Sequence, residues 1–228
     1  SYQPGVWNVM PVRHYDHGNF IAGMPVPDLA SQSVTALRQF YLSLMDNLSH
    51  VSAASGLPFT DVAADRWSYT YIKQMYDAGV VSGITPTTFE PAGDVTRAQF
   101  VTMLAGLQGA DVSAYKTGKF TDVPAGAWYA PYVNWALANG IVSGTSATTF
   151  SPDAKITRQD MAVMLYQYTQ RYDVALQQQT VTPFTDESGI STYALPAVQA
   201  LQRAGVISGM PDGSFRPRER MTREQACV

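Results

Sequence analysis

Residues 118–144 read GKFTDVPAGAWYAPYVNWALANGIVSG. Closely similar stretches occur at 57–83, LPFTDVAADRWSYTYIKQMYDAGVVSG, and more loosely at 182–209, TPFTDESGISTYALPAVQALQRAGVISG. Self-similarity within one chain indicates an array of repeated structural units, each of which buries part of its apolar surface against its neighbours. The sequence therefore predicts three related units, and the architecture of the array has to be settled before any site is argued.

The three units share their landmarks in the same order and at nearly constant spacing. A Phe-Thr-Asp triplet is followed by an aromatic residue, then by a glycine, a Phe-x-Pro triplet and a Thr-Arg pair. The landmarks are Phe59, Asp61, Trp67, Gly79, Phe89 and Arg97 in the first unit, Phe120, Asp122, Trp128, Gly140, Phe150 and Arg158 in the second, and Phe184, Asp186, Tyr193, Gly205, Phe215 and Arg223 in the third.

Each unit is predicted to contain two helices separated by a glycine-rich loop. In the first helix Trp67, Tyr71, Met75 and Ala78 recur at helical spacing, and we expect the following glycine to end it by taking a positive φ. The Phe of Phe-x-Pro is predicted to be a packed anchor. The second helix is predicted to start at the threonine, with capping boxes at Thr96-x-x-Gln99 and Thr222-x-x-Gln225 and a weaker variant at Thr157-x-x-Asp160. In the third unit MTREQACV supplies barely two turns.

The predicted fold class is mainly α, with five segments. Residues 1–30 are predicted to be extended, and residues 31–55 to form an amphipathic helix, because apolar residues recur at helical spacing over 32–51. We expect this helix to pack on the repeats. The units themselves are placed at 56–117, 118–180 and 181–228, the last with a shortened second helix.

Composition excludes several functional classes. The net charge of −3 gives no electrostatic basis for nucleic-acid binding, and no apolar run is long enough to predict a membrane span. Cys227 is the only cysteine, so no internal disulfide is expected. The polar residues are largely Thr, Ser, Gln and Tyr, a mixture common outside the cell. Because the chain lacks an initiating Met and a signal peptide, we expect it to be a piece of a longer product.

No enzymatic motif is recognised in the sequence. Arg13–His17 contains His14, Asp16 and His17, which are residue types that bind metals, but their spacing in an aperiodic segment favours a structural or surface role. Ser-His-Asp arrangements, phosphate-binding loops and dinucleotide fingerprints are not found. The chain is therefore predicted to be non-catalytic, with no cofactor and no metal.

The ordered landmarks F-T-D-V, W-x11-A/N-G-V/I-V-S-G, F-x-P and T-R-x-Q/D resemble the S-layer homology family, over about residues 57–228. The loop GMPDGSFRP of the third unit is typical of that family. The resemblance implies a pseudo-threefold arrangement of the repeats around a central helix bundle. It also implies an extracellular location at the bacterial cell wall or S-layer, where grooves between repeats bind an acidic, often pyruvylated, secondary cell-wall polysaccharide. The glycan-binding residues implied are Arg97, Arg158, Arg223, Asp61, Asp122, Asp186, Trp67, Trp128, Tyr193, Gly83, Gly144 and Gly209.

Physical reasoning on these residues leaves an alternative for each type. An arginine in the first helical turn is unfavourable for the helix dipole, which suggests that it binds an anion, but it could instead pair with the Asp of Phe-Thr-Asp. A helical Trp at a stripe position is more often part of a core, although indole also stacks on sugars. The Asp could equally cap a turn. The third unit has Tyr193 and Glu187 where the others have Trp and Val. The sites of Arg97 and Arg158 are therefore preferred over that of Arg223 as glycan-binding sites.

Two other functions stay open at this point. The repeats could mediate assembly of a surface-protein lattice without contacting a glycan. They could also guide the substrate of a polysaccharide-active enzyme whose catalytic domain lies outside this sequence.

Overall fold

The computed structural model describes residues 56–228. The predicted extended segment 1–30, the predicted helix within 31–55 and the stretch Arg13–His17 lie outside the described residues. Residues 56–228 are mainly helical, as predicted, and contain no β-strand beyond isolated bridges. The helices are α1 (Tyr69–Asp77), α2 (Arg97–Gln108), α3 (Ala130–Ala138), α4 (Arg158–Arg171) and α5 (Leu195–Arg203), with 3-10 turns at Glu187–Gly189 and Gln225–Cys227.

The first helix of each unit begins after the landmark aromatic residue, which corrects the predicted stripe. Trp67 precedes α1, and Ile72 is the buried residue of that helix. In α3 the buried side chains include Val133 and Ala136, while Trp128 lies before the helix and is exposed. The predicted stripe of the first unit therefore combined Trp67 and the C-cap residue Ala78, which lie outside the helix, with Tyr71 and Met75 inside it.

The glycines that follow the first helices have the backbone conformation that was predicted for them. Gly79, Gly140 and Gly205 have φ values of 69°, 69° and 70°. Each lies directly after the C-cap residue, where a left-handed conformation lets the chain leave the helix. A residue with a Cβ adopts this conformation only with strain.

The second helices start at the predicted threonines. Thr96 and Gln99 form both bonds of a capping box, and the side chain of Thr157 accepts a hydrogen bond from the backbone N–H of Asp160. Thr222 and Gln225 also exchange both bonds, but the turn that they cap is the short 3-10 segment Gln225–Cys227.

Two buried phenylalanines close the loop of each unit. The rings of Phe59 and Phe89 lie 5.3 Å apart between centroids, and the corresponding pairs Phe120–Phe150 and Phe184–Phe215 lie 5.6 and 5.2 Å apart. The Phe of Phe-x-Pro is at most 1% exposed in every unit, which confirms that it is a packed anchor.

Backbone hydrogen bonds join the three units in a closed ring. The N–H of Val95 donates to the carbonyl of Met221, and the N–H of Met221 donates to the carbonyl of Ile156. The N–H of Ile156 donates in turn to the carbonyl of Val95, and all three bonds are 2.9–3.1 Å long. Helix packing follows the same order, because α2 contacts α3, α4 contacts α5, and the 3-10 turn Gln225–Cys227 contacts α1. Each second helix thus packs against the first helix of the next unit. The pseudo-threefold relation of the units stays a prediction.

Candidate functional site

The three landmark arginines directly follow the capping threonines and reach into the next unit; Arg97 and Arg158 are the first residues of α2 and α4, and Arg223 lies in the turn before Gln225–Cys227. The Nε–H of Arg97 donates to the carbonyl of Phe150 at 2.9 Å, and the guanidinium lies over the Phe150 ring with its Cζ 4.8 Å from the centroid. Arg158 makes the same contacts with Phe215, at 2.7 and 4.9 Å, and Arg223 makes them with Phe89, at 2.7 and 4.4 Å. Each arginine therefore braces a neighbouring loop through a carbonyl and an aromatic face.

The predicted alternative, an ion pair between the arginine and the Asp of Phe-Thr-Asp, does not occur within residues 56–228. Arg97 and Arg158 are each 8% exposed. Burial lowers the pKa of all three guanidinium groups, yet a group whose ordinary pKa is above 12 stays charged at neutral pH. The fold thus holds three fixed, partly desolvated cations.

The aspartates of Phe-Thr-Asp bind backbone rather than facing the arginines. The carboxylate of Asp122 accepts hydrogen bonds from the N–H groups of Phe150 and Ser151, at 2.8 and 2.7 Å. Asp61 and Asp186 accept the equivalent pairs, at 2.7–2.9 Å. Partial burial opposes ionisation of Asp61, but the backbone donors prevail and lower the pKa of its carboxyl. This geometry is that of a loop cap, the alternative role considered for these residues.

The loop glycines are required by close packing. A Cβ added to Gly83, Gly144 or Gly209 would lie 2.6, 2.7 or 2.9 Å from the Cε1 atom of the Phe that opens the same unit. No side chain fits in that space, so the loop backbone passes directly over Phe59, Phe120 or Phe184. The glycines therefore shape the loop that forms one wall of each candidate groove.

The landmark aromatic residues are exposed. Trp67, Trp128 and Tyr193 are 58%, 61% and 58% exposed, so the core position that periodicity favoured for the tryptophans is wrong. Each lies just before a first helix, where the chain turns into the helix from a polar loop. A large aromatic surface in this position is available for stacking against a ligand.

One groove combines parts of all three units around Arg97. This cavity of about 760 Å³ is bounded by Arg97 of the first unit, by the loop around Ser143 and Gly144 of the second, and by Tyr193 of the third. Asp160 and Gln167 of α4 also line it. The volume is in the range of ligand-binding clefts, about 300–1,000 Å³.

A second groove repeats this arrangement around Arg158. Its cavity of about 460 Å³ is bounded by Arg158, by Ser208 of the third-unit loop and by Trp67 of the first unit. The Nη2 of Arg158 donates to the Ser208 carbonyl at 3.2 Å. The floor of this second groove is apolar, and the residues that form it include Met103, Leu104, Leu107, Met161 and Leu165.

The third arginine keeps the same loop contact despite the shortened second helix. The Nη2 of Arg223 donates to the carbonyl of Ser82, as that of Arg158 does to Ser208. The replacement of Trp by Tyr193 in the third unit changes the groove of Arg97 and not the surroundings of Arg223, because Tyr193 lines the Arg97 groove.

The sequence matches the family model of the S-layer homology domain three times, at residues 58–101, 119–162 and 183–227. Together these matches cover more than half of the chain. The chain belongs to the S-layer homology family.

Similar proteins carry S-layer homology modules in different contexts. The chain is 34% identical over 197 residues to an endoglucanase of Bacillus sp. (strain KSM-635), a match that covers 85% of this chain and 20% of that protein. It is 31% identical over 171 residues to an amylopullulanase of Thermoanaerobacterium thermosulfurigenes, a match that covers 75% of this chain and 9% of that protein. It is 29% identical over 175 residues to the S-layer protein sap of Bacillus anthracis, a match that covers 77% of this chain and 21% of that protein. The chain thus spans about a fifth of the length of these relatives, or less.

The S-layer homology modules are non-catalytic and serve cell-surface anchoring. Proteins with such different names share this segment, so the segment is not the part that distinguishes their activities. The family and its surface-protein members place the chain at the cell surface, associated with the cell wall. Within residues 56–228, no helix has the length and apolar character needed to cross a bilayer.

Sequence reasoning on these S-layer homology modules missed two groups of functional candidates. Asp160 was recognised only as a capping residue, although it lines the Arg97 groove. The serine carbonyls of the loops, such as that of Ser208, were also missed because a backbone acceptor leaves no mark in the sequence. The signal that could have found Asp160 is its position only two residues after Arg158 at the same helix start.

Proposed function

We propose that residues 56–228 anchor their protein to the cell wall by binding an acidic secondary cell-wall polysaccharide in the grooves between repeats. The binding needs no cofactor, and the chain performs no catalysis. The proposal extends the family's surface-anchoring role to a particular class of ligand.

The observation that carries this proposal is the pairing of a fixed cation with an exposed aromatic side chain in one groove. In the second groove Arg158 supplies a charged, planar donor, and Trp67 supplies an exposed apolar face. A guanidinium suits a carboxylate, including that of a pyruvate ketal, because its donors form two parallel hydrogen bonds. An indole suits the C–H face of a sugar ring.

The remaining donors of the arginines support a ligand role beside the structural one. Within the described residues, the hydrogen bonds of Arg97 use Nε, and those of Arg158 use Nε and Nη2. The other guanidinium protons are left for an anion. Ligand binding and bracing therefore do not exclude each other, because different nitrogens of one guanidinium serve the two roles.

Trp67→Ala is the variant that tests the proposal most cleanly. Since Trp67 is exposed, its loss should change the free energy of unfolding by less than about 0.5 kcal/mol. Loss of a stacking contact should weaken binding roughly three- to tenfold. The measurement is co-sedimentation of the chain with purified bacterial cell walls, before and after extraction of the secondary polymer.

Tyr71→Ala is the matched control, because Tyr71 is 41% exposed on α1 but lines neither cavity. It should bind walls like the unaltered chain. If the folded chain fails to co-sediment with unextracted walls, or if both variants bind equally well, the polysaccharide proposal is wrong.

A second candidate is favoured by the relatives named endoglucanase and amylopullulanase. In that case the repeats hold a polysaccharide-degrading enzyme at the surface. Hydrolysis of cellulose or starch by the complete product of the gene, but not by residues 1–228, would support it.

A further inference from the structure

We infer that Asp160 and Tyr193 set the specificity of the Arg97 groove, so that it takes an uncharged, hydroxyl-rich sugar residue while the Arg158 groove takes a carboxylate-bearing one. This inference rests on the proposed function. It assigns different ligand units to two grooves that share one architecture.

Asp160 is held rigidly at the wall of the Arg97 groove. The hydroxyl of Tyr193 donates to its Oδ1 at 2.6 Å, and that of Thr157 donates to its Oδ2 at 2.8 Å. Gln159 in turn donates from Nε2 to the Tyr193 hydroxyl at 3.1 Å. A carboxylate can accept about four hydrogen bonds, so about two acceptor positions remain for vicinal hydroxyls of a sugar.

The charges in this groove oppose each other. Arg97 and Asp160 line the same cavity; burial lowers the pKa of Arg97, and the charge of Asp160 is the largest effect that raises it. Burial and the bond to Asp160 raise the pKa of Tyr193 to about 12, so its phenol stays neutral near neutral pH. A carboxylate entering the groove therefore meets a cation and a fixed anion together, and gains little net attraction.

The Arg158 groove lacks this anion. Gln225 occupies the helix position equivalent to Asp160, and Trp67 stands where the first groove has Tyr193. Among the side chains that line this cavity in the described residues, none is acidic. The carboxylates that raise the pKa of Arg158, those of Glu219 and Asp186, do not line the cavity. Inside the groove Arg158 therefore lies beside a neutral amide and an apolar floor, which favours an anionic sugar.

The two arginines provide separate readouts for the two grooves. Each Nε–H donates to a backbone carbonyl, which slows proton exchange and makes both signals suitable for observation by NMR. The probes are oligosaccharides prepared from the wall polymer, in native form and after chemical reduction of their carboxyl groups. We expect reduction to weaken binding at the Arg158 signal by about tenfold, the loss of a charge-assisted contact, and at the Arg97 signal by less than about twofold.

Two reciprocal variants complete the test. Asp160→Asn should make binding at Arg97 depend on the sugar carboxylate, whereas Gln225→Glu should abolish that dependence at Arg158. Both keep the helix cap, since Asn retains an acceptor for Thr157, and Glu retains one for the Thr222 N–H. Carboxyl reduction that affects both arginines equally, or variants that leave both preferences unchanged, would overturn the inference while the anchoring function stands. If neither form of the polymer moves either signal, both proposals fall.

Discussion

At the scale of single residues, Asp122 shows how a residue repeated in all three units can serve the fold instead of the ligand. Its two carboxylate oxygens hold the N–H groups of Phe150 and Ser151, and Ser151 has a positive φ of 59°. Glu90 and Arg216, which are bonded to Asp61 and Asp186, have φ values of 58° and 57°. The aspartate therefore stabilises a left-handed backbone conformation that a residue with a side chain adopts at a cost.

Asp122→Ala should destabilise the chain by about 1–3 kcal/mol, because it leaves two backbone donors without their acceptor. Asp153→Ala is the matched control, since Asp153 is an exposed residue of the same region and its loss should have little effect. Chemical denaturation of both variants measures the difference. A stable Asp122→Ala variant that binds the wall poorly would contradict the capping role and favour direct recognition of sugar hydroxyls.

The residues of the site were predictable from the sequence to different degrees. The arginines could be singled out because a cation at a helix start is unfavourable locally and therefore demands an explanation. Their partners could not be predicted, because Arg97 bonds to a carbonyl 53 residues away in the next unit. The exposure of Trp67 was also missed, since periodicity does not tell a helical residue from one that directly precedes the helix.

At the scale of secondary-structure elements, the glycine after each first helix sets where the chain turns. This was predictable, because a positive φ has a strong local preference for glycine and Gly79, Gly140 and Gly205 occupy the same position. The threonine caps were predictable for a similar reason, since their hydrogen bonds are made within one turn. The ends of the helices, which depend on local chemistry, were thus predicted better than the buried and exposed sides of the helices, which depend on packing between units.

Gly140→Ala should destabilise the chain by about 1–2 kcal/mol through backbone strain. No atom lies within 4 Å of a Cβ at this position, so the cost comes from the φ of 69° and not from a clash. Gly126→Ala is the control, because that position is equally open but has no positive φ. Thermal or chemical denaturation should separate the two variants, and equal stabilities would show that the left-handed turn is not required.

At the scale of the whole described unit, function depends on the exchange of contacts between repeats. The Arg97 groove takes its cation, its loop and its aromatic residue from three successive units, and the Arg158 groove does the same after one step around the ring. No single repeat contains a complete groove. The repeats were recognised from sequence, but this distribution of parts follows from the closed ring of backbone bonds, which no local pattern reports.

The contact between the third and first units contains an ion pair that should make ring closure sensitive to acid. Glu224 accepts hydrogen bonds from Nε and Nη2 of Arg66, at 2.7 and 2.8 Å, and from the Ser68 hydroxyl. The bond from Arg66 outweighs burial and lowers the pKa of Glu224 below its ordinary value of 4.5. The stabilisation is therefore complete above about pH 4.5, and it is lost as the pH falls through the lower pKa of the folded state.

Glu224→Gln should accordingly be less stable than the unaltered chain at neutral pH, and the difference should shrink as the pH is lowered below about 4.5. Urea denaturation over this pH range measures the difference. Glu219→Gln is the control, since it removes a carboxylate from the exposed pair with Arg216, where ion pairs contribute little. Because Glu224 links the last unit to the first, its loss should also weaken wall binding more at neutral pH than the control does. A pH-independent difference between Glu224→Gln and the unaltered chain would show that the ionised carboxylate is not what closes the ring.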